Sequence, residues 1–221
     1  HGLLLLDVDR FTEFNDVHGA LIGDQLLRAV AACLSSILPP SGLLVRNSSD
    51  EFAIVLEGIA VDVEDAQVLT EAYGERLVST LDAAAIRVHG MPEAVRVTCS
   101  VGMCVFPDAE GDTEIEALRR AHTAMHEAKR LGGARSVMFE EALADNANRR
   151  YRIEKGLRRA IGDGQLRLYL QGQFDGSNQP VGVEALVRWE HPERGLVSPG
   201  TFIPVAEESD LIVLLGDWVL E

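Results

Sequence analysis

The chain has 221 residues, 47% of them hydrophobic and 5% aromatic, which is enough for one large or two small globular domains. Twenty Lys and Arg residues against 35 Asp and Glu residues give a formal net charge of −15 at pH 7, which argues against general binding to nucleic acids or anionic membranes. Three cysteines without CxxC spacing and no run of ~20 apolar residues argue against a disulfide framework and a membrane span. We therefore expect reduced core thiols and a cytoplasmic protein.

The first part of the chain alternates strand patterns with helix patterns. The run "GLLLLDVD" ends in two acids and predicts a buried strand. A short helix follows over 11–19, and an amphipathic helix over 23–38 is stopped by two prolines. The remaining patterns predict a hairpin at 43–57, helices at 62–81 and 114–131, and strands at 85–90, 95–106 and 132–139. This order indicates an α/β or α+β layer in which helices cover a sheet.

The last part of the chain predicts a second domain. The charged stretch 140–164 has apolar residues at helical spacing and suits a helix that bridges two domains. "QLRLYLQGQFD" and "QPVGVEALVRW" then read as two strands joined by a turn. Ser198 and Pro199 open a helix that breaks near Asp210, where another helix starts. We accordingly divide the chain into a domain at 1–140, a linker helix at 141–163 and a second domain at 164–221.

Two pairs of acids stand at strand ends in the first domain. Asp7 and Asp9 end the first strand, and Asp50 and Glu51 lie at the bend of the hairpin. If these strands are neighbours, the acids converge at one edge of the sheet, where one or two carboxylates with substrate phosphates hold Mg²⁺. The alternative is that the acids are ordinary solvated residues.

The order of four motifs in the first domain resembles the GGDEF family of diguanylate cyclases, which join two GTP molecules into cyclic di-GMP. The motifs are "LLLLDVDRFTEFNDVHGALIGDQLL", "RNSSDEF", "VTCSVGMCVFP" and "HTAMHEAKRLGG", and the resemblance runs from Leu3 to about Phe139. It implies a central, mostly antiparallel sheet flanked by helices. It also implies GTP as a ligand and a homodimer.

The resemblance implies roles for seven residues. Asp7 and Asp50 would bind the metal, Mg²⁺ or Mn²⁺, together with the backbone of Val8, and Asp50 with Glu51 beside it would lie near the attacking 3′-hydroxyl. Three further residues would contact the nucleotide, namely Asn15 and Asp24 at the guanine edge and Lys129 at the phosphates. The chemistry would be phosphoryl transfer, in which positioning and charge neutralisation do most of the catalysis.

The chain departs from the family pattern at several positions. Ser48 and Ser49 replace two glycines at a bend that passes close to the nucleotide, and serine adds a Cβ and a hydroxyl there. Gly133 replaces the usual arginine beyond the phosphate lysine, with Arg135 two residues on. Pro39 and Gly42 occupy the positions of the feedback motif Arg-x-x-Asp, so product inhibition at that site is not expected.

The second domain resembles the opening of the EAL family of cyclic di-GMP phosphodiesterases, which are (β/α) barrels. Glu184 of the "EAL" segment would be a catalytic metal ligand, and Gln171 and Arg188 would contact the dinucleotide, since an arginine fork pairs with phosphate oxygens. The alternative for Glu184 is a strand acid paired with Arg188. Further ligands and the catalytic lysine would come after Glu221, so we expect a piece of a longer protein.

Three hypotheses for function follow. In the first, the parent protein hydrolyses cyclic di-GMP to linear pGpG, and its degenerate cyclase domain binds GTP and regulates it. In the second, the cyclase domain remains active. In the third, both domains are inactive and form a cyclic di-GMP or GTP receptor that acts through protein contacts. His122 and His126, at helical spacing, match no motif and are interpreted as surface or core residues.

Overall fold

The computed structural model describes residues 1–107 and 112–220 and divides into two compact units, His1–Ala144 and Asp145–Glu221. The predicted domain boundaries at 140 and 163 remain a prediction. Among the residues described, no helix has both the length and the apolar character needed to cross a membrane.

The first unit is a five-stranded sheet flanked by helices. Its elements in chain order are β1 (Gly2–Val8), α1 (Phe11–His18), α2 (Ala20–Ser36), β2 (Gly42–Arg46), β3 (Glu51–Leu56), α3 (Val63–Ala83), β4 (Cys99–Val105), α4 (Glu114–Arg130) and β5 (Arg135–Met138). The strand order is β2-β3-β1-β4-β5, and only the pairing of β4 with β5 is parallel. The expected mostly antiparallel sheet with flanking helices is confirmed.

Strand β1 is apolar throughout because both of its faces are covered. Leu4 and Leu6 join the larger core with residues of α2 and α3, whereas Leu3 and Leu5 point to the opposite face and pack in a smaller core with α4. All seven residues of β1 are buried, including Asp7 at its end. Because β1 is the middle strand of the sheet, the carboxylate of Asp7 lies at the strand ends, between the two neighbouring strands.

Helix α4 lies unusually close to β4, and glycine makes this approach feasible. A Cβ atom added at Gly102 would overlap the backbone carbonyl of Ala121 and the backbone nitrogen of Met125. The helix begins after Thr113, whose side chain accepts a hydrogen bond from the N–H of Glu116, and its last turn carries Lys129. Gly102 thus helps to determine where Lys129 lies.

The predicted strand at 85–90 is wrong, and the strand predicted at 95–106 is shorter than expected. Residues 84–98 form only an isolated bridge between Ile86 and Val95, although Ile86 and Val88 are buried. Strand β4 already pairs with β1 on one side and β5 on the other, so it offers no free edge to this segment. The alternation of the buried residues Ile86 and Val88 produces the sequence pattern of a strand, although this segment does not pair with the sheet.

The second unit contains most of helix α5 and a three-stranded antiparallel sheet. Its elements are α5 (Glu141–Gly162), β6 (Leu166–Phe174), β7 (Pro180–His191), β8 (Gly195–Val197), α6 (Pro199–Glu207) and α7 (Leu211–Leu220), with strand order β6-β7-β8. Trp189 is fully buried and packs edge-to-face on Phe202, with ring centroids 5.9 Å apart. The short strand β8 was not predicted, because three residues carry too little pattern.

Candidate functional site

The acids of β1 and of the β2–β3 turn meet at one edge of the sheet. Strands β1 and β3 are neighbours, with Asp7 directly opposite Glu51. The N–H of Val8 donates a hydrogen bond to the carbonyl of Asp50 at 3.2 Å. The two strands are neighbours, as the prediction of converging acids required. Asp7 and Glu51 are buried, so these acids are not merely solvated residues at strand ends.

Lys129 contacts Asp7, one of the two buried acids of this group. Its Nζ atom lies 2.8 Å from the Oδ2 atom of Asp7, whose residue is only 8% exposed. Burial raises the pKa of Asp7, nearby Asp50 and Asp9 add to the rise, and Lys129 opposes it. Because burial of a carboxylate is costly, this position favours a cation beside it.

Asp9 organises the loop that follows α4. Its carboxylate accepts hydrogen bonds from the hydroxyls of Thr98 at 2.7 Å and Ser100 at 2.6 Å, and from the N–H of Ala134 at 2.9 Å. Three consecutive loop residues, 132–134, have positive φ angles. Sequence reasoning grouped Asp9 with the other acids but gave it no role, since the loop 125 residues away gave no signal.

A cavity of about 570 Å³ opens between these groups. It has room for small-molecule phosphates. Carboxylates, cations and loop glycines share its lining, which consists of Asp7, Asp9, Arg10, Thr98, Lys129, Gly132 and Gly133.

The turn between β2 and β3 is built without the backbone geometry that demands glycine. Neither Ser48 nor Ser49 has a positive φ angle. The guanidinium of Arg46 donates to the carbonyl of Ser48 at 3.2 Å and to that of Ser49 at 2.6 Å. The hydroxyl of Ser49 donates to the Oδ1 atom of Asp50 at 2.6 Å. The backbone of the turn therefore accommodates both serines. Their effect is a new hydrogen bond from the hydroxyl of Ser49 to the carboxylate of Asp50.

Asn15 and Asp24 present acceptor atoms on α1 and α2. The Oδ1 atom of Asn15 is buried and has no hydrogen-bond partner among the described residues. It lies over Gly23, where an added Cβ atom would overlap it. Asp24 is exposed, with its Oδ1 atom 3.7 Å from the Nη2 atom of Arg46. An unsatisfied buried acceptor beside a carboxylate matches the N–H donors of a guanine edge.

Glu51 faces side chains that sequence reasoning did not connect with it. The Nδ2 group of Asn47 donates to its carboxylate, and the Nδ1 atom of His122 lies 3.7 Å from its Oε2 atom. The ring of His126 lies 6.4 Å from that of His122, and burial lowers the pKa of His126. The interpretation of these histidines as surface or core residues did not anticipate their position beside Glu51.

The donors fit a metal that shares its ligands with a nucleotide. Within the ranges 1–107 and 112–220, no three His, Cys, Asp or Glu side chains are arranged to hold a metal by themselves. The pKa of Asp7 is raised chiefly by burial, and the nearby carboxylate of Asp50 adds to the rise. Two hard oxygen donors completed by phosphates and water are the pattern of Mg²⁺ rather than of zinc.

The loop after α4 does not recreate the missing arginine. Gly133 has φ +71°, and a Cβ atom there would lie 3.0 Å from the Oδ2 atom of Asp9. The Nε group of Arg135 donates to the carbonyl of Gly133 at 3.1 Å, and Arg135 does not line the cavity. Arg135 therefore supports the loop and leaves Lys129 and Arg10 as the cations of the cavity.

The three residues predicted in the second unit share one face of its sheet. Gln171 on β6 is directly opposite Glu184 on β7, and Arg188 lies four residues further along β7. The guanidinium of Arg188 lies 5.7 Å from the ring centroid of Tyr169. Four residues of strand span about 13 Å, and the alternative that the side chains of Glu184 and Arg188 pair stays a prediction.

Family comparisons match both units. The family described as "Diguanylate cyclase, GGDEF domain" matches residues 1–135, and the family described as "EAL domain" matches residues 154–221. Domains of both families generally use divalent metal ions. The resemblances inferred from the motifs are confirmed.

Similar curated proteins are longer than this chain. The chain is 35% identical over 221 residues to the bifunctional diguanylate cyclase/cyclic di-GMP phosphodiesterase MucR of Pseudomonas aeruginosa, covering 100% of the chain and 31% of MucR. It is 36% identical over 219 residues to the cyclic di-GMP phosphodiesterase PdeR of Escherichia coli, covering 99% of the chain and 32% of PdeR. The chain thus spans about a third of the length of these relatives.

Solved structures match the first unit and the whole chain. The GGDEF domain of TpbB (YfiN) from Pseudomonas aeruginosa has a TM-score of 0.58 and 27% identity, covering 66% of this chain and 81% of that one. The S helix-GGDEF-EAL structure of Vibrio cholerae LapD, bound to c-di-GMP, covers 99% of this chain and 49% of that one with a TM-score of 0.52. At 14% identity, the second likeness concerns the fold alone.

Proposed function

This chain belongs to the GGDEF family of diguanylate cyclase domains and continues into the start of an EAL domain, and on that premise we propose that its first unit is a regulatory domain that binds GTP with a divalent metal. The observation that carries this proposal is the meeting of Asp7, Asp50 and Lys129 beside the cavity of about 570 Å³.

The phosphate side of the site combines carboxylates with a cation. The carboxylates of Asp7 and Asp50 and the backbone oxygen of Val8 would hold Mg²⁺ or Mn²⁺, which neutralises phosphate charge when bound. Lys129 turns from Asp7 to a phosphate oxygen. Asp9 keeps the loop at 132–134 in position, so that its backbone borders the phosphates.

The base side of the site selects guanine. The Oδ1 atom of Asn15 accepts from the base and thereby loses its unsatisfied state, and the carboxylate of Asp24 accepts from a second N–H group. Adenine presents an acceptor at N1 where guanine presents a donor, so two acceptors on the protein oppose adenine. A site that leaves a buried acceptor unpaired rejects the wrong ligand strongly.

Regulation is favoured over synthesis of cyclic di-GMP by the turn and the loop. Asp50 already accepts the hydroxyl of Ser49, and the position of the second phosphate cation is occupied by Gly133. Synthesis also requires two GTP-loaded domains to face each other in a homodimer. Glu51 supports Asp50 in this proposal but is held by Asn47 and His122.

The parent protein is proposed to hydrolyse cyclic di-GMP to linear pGpG through its EAL domain. Gln171 and Arg188 would contact the dinucleotide and Glu184 would bind a catalytic metal, with the remaining ligands in the chain beyond Glu221. Two similar proteins, PdeR of Escherichia coli and NbdA of Pseudomonas aeruginosa, are named cyclic di-GMP phosphodiesterases. The proposed compartment is the cytoplasm, where GTP is available.

The decisive experiment uses the full-length parent with cyclic di-GMP and Mn²⁺, with and without GTP. Formation of pGpG that changes with GTP is the expected result. Absence of pGpG under both conditions would contradict the phosphodiesterase proposal and favour a receptor that acts through protein contacts. Product unaffected by GTP would contradict only the regulatory part. Conversion of GTP to cyclic di-GMP, monitored in the same samples, would favour the active cyclase.

A further inference from the structure

The second unit carries a concentrated set of cations on helix α5. Six of its nine Lys and Arg residues lie between positions 149 and 159. Arg152, Lys155 and Arg159 are spaced by three and four, which puts them on one face of the helix. All three are exposed. Like charges at this spacing repel one another, so the arrangement costs stability unless an anion lies between them.

These three cations lack the acidic partners that a neighbouring arginine has. Arg158, on another side of the same helix, lies 2.8 Å from Asp210 and 4.0 Å from Glu154. Among the residues described in this unit, no carboxylate oxygen lies within 4.0 Å of the charged nitrogens of Arg152, Lys155 or Arg159. Acidic partners thus neutralise the charge of Arg158, whereas Arg152, Lys155 and Arg159 have no such partner among the described residues of this unit.

The open side faces a cavity of about 470 Å³ with aromatic walls. The three cations share its lining with Tyr151, Trp189 and the turn 191–193. Gly156 lets Trp189 press against the helix, since an added Cβ atom would lie 2.9 Å from the indole ring. The cavity is therefore a built depression beside the core of the unit and not a flat surface.

His191 adds a donor of fixed orientation to this cavity. Its Nδ1 atom accepts hydrogen bonds from the backbone N–H groups of Glu193 at 3.1 Å and Arg194 at 3.3 Å. The proton of the neutral ring must then be on Nε2, which becomes a hydrogen-bond donor. The acids Asp163 and Glu193 also line the cavity, so its charge is positive but not extreme.

A second, smaller cavity of about 160 Å³ shares Arg152 and adds Arg149 and Arg194. It contains one acid, Asp145, and the larger cavity contains two, so cations outnumber acids in the lining of both. Because Arg152 lines both cavities, their cations together suit a ligand with more than one phosphate. A single carboxylate or monophosphate would leave most of these charges unsatisfied.

We propose that this face of the second unit binds a small polyphosphate, such as the diphosphate group of a nucleotide, with Arg152, Lys155 and Arg159 as the anion ligands. Its cavity of about 470 Å³ lies within the usual range of small-molecule sites. The exposed ring of Tyr151 offers its surface to the remainder of the molecule. This site is separate from Gln171, Glu184 and Arg188, none of which lines the cavity.

Tryptophan fluorescence provides a local assay. The chain has two tryptophans, Trp189 in the cavity wall and Trp218, and the first unit has none. In a Trp218→Phe background with EDTA, inorganic pyrophosphate is titrated while Trp189 emission and binding heat are recorded. Saturable binding with both signals is expected. ADP and GDP serve as further probes, and tighter binding than pyrophosphate would show that the ring surface contributes.

Glutamine variants separate a defined site from general charge. Each of Arg152→Gln, Lys155→Gln and Arg159→Gln is expected to weaken pyrophosphate binding about tenfold, whereas the matched control Arg158→Gln leaves it within twofold. Removing a repelling charge also leaves the thermal unfolding temperature unchanged or higher, which shows that each variant folds. Equal weakening by Arg158→Gln, or no fluorescence change and no heat at millimolar pyrophosphate, would overturn the proposal.

Discussion

Replacing Gly102 by alanine tests how the sheet positions the phosphate lysine. The added Cβ atom would overlap backbone atoms of Ala121 and Met125, which cannot rotate away as a side chain can. Helix α4 would therefore have to retreat by about 1 Å or more to restore ordinary contact distances. Overpacking of this kind costs about 1–3 kcal/mol, and the same movement carries Lys129 away from Asp7.

Thiol labelling measures this effect in the first unit alone, because all three cysteines lie there. Tryptophan fluorescence would not do so, because both tryptophans lie in the second unit. Cys99 and Cys104 are buried, and burial raises the pKa of Cys99 further, so labelling requires opening of the unit. A loss of about 2 kcal/mol should speed labelling of both thiols roughly 30-fold. GTP affinity in Mg²⁺ should fall at the same time.

The control for this prediction is Gly216→Ala, at an exposed helical position with no atom within 4 Å of the added Cβ. It should leave labelling unchanged and stabilise α7 by about 0.5–1 kcal/mol, since alanine favours a helix. Unchanged labelling of Cys99 and Cys104 in Gly102→Ala would show that α4 is not tightly seated, and would refute the packing argument for Lys129.

Three further predictions concern single side chains. Asp9→Asn should weaken GTP binding about tenfold in calorimetry, because the amide cannot accept from Thr98, Ser100 and Ala134 together; unchanged affinity would show that the loop needs no anchor. Gly23→Ala should reduce the preference for GTP over ATP, because its Cβ displaces Asn15, and an intact preference would contradict the role of that amide. Burial raises the pKa of Tyr73 above its ordinary value of 10.0, so its contribution to stability is full below pH 10 and is lost as the pH rises through the folded-state pKa. The stability difference between the wild type and Tyr73→Phe should therefore shrink in urea titrations above pH 10, and a constant difference would contradict this account.

Patterns within one segment predicted most of the fold. Strand β1 and helix α4 are recognisable because apolar spacing and end signals occur in the same few residues. The segment 84–98 was misread because Ile86 and Val88 alternate as in a strand, whereas pairing depends on whether a neighbouring strand has a free edge. That property belongs to the whole sheet and not to the segment.

The site was predictable where residues act through their own type and position, and less so where they act through distant partners. Asp7 and Glu51 could be expected together once their strands were neighbours. The bonds of Asp9 to Thr98 and Ala134 join segments that are remote in sequence, so spacing alone contained no sign of them.

The serine turn shows a different limit. The sequence predicts an added Cβ atom and an added hydroxyl at this bend, and in the structure neither serine adopts a positive φ angle. The consequence of the change is a hydrogen bond from Ser49 to Asp50, which depends on the side-chain position and not on the backbone class.

The first unit is proposed to bind GTP through a metal and a guanine-selective edge. Calorimetric titration of GTP and of ATP into this chain in Mg²⁺, repeated in EDTA, tests this proposal most directly when the chain carries Arg152→Gln, Lys155→Gln and Arg159→Gln, which remove the proposed polyphosphate site of the second unit. We predict that one GTP binds per chain in Mg²⁺, that EDTA abolishes the binding and that ATP does not bind measurably. No binding of GTP, or equal binding of ATP, would contradict the account.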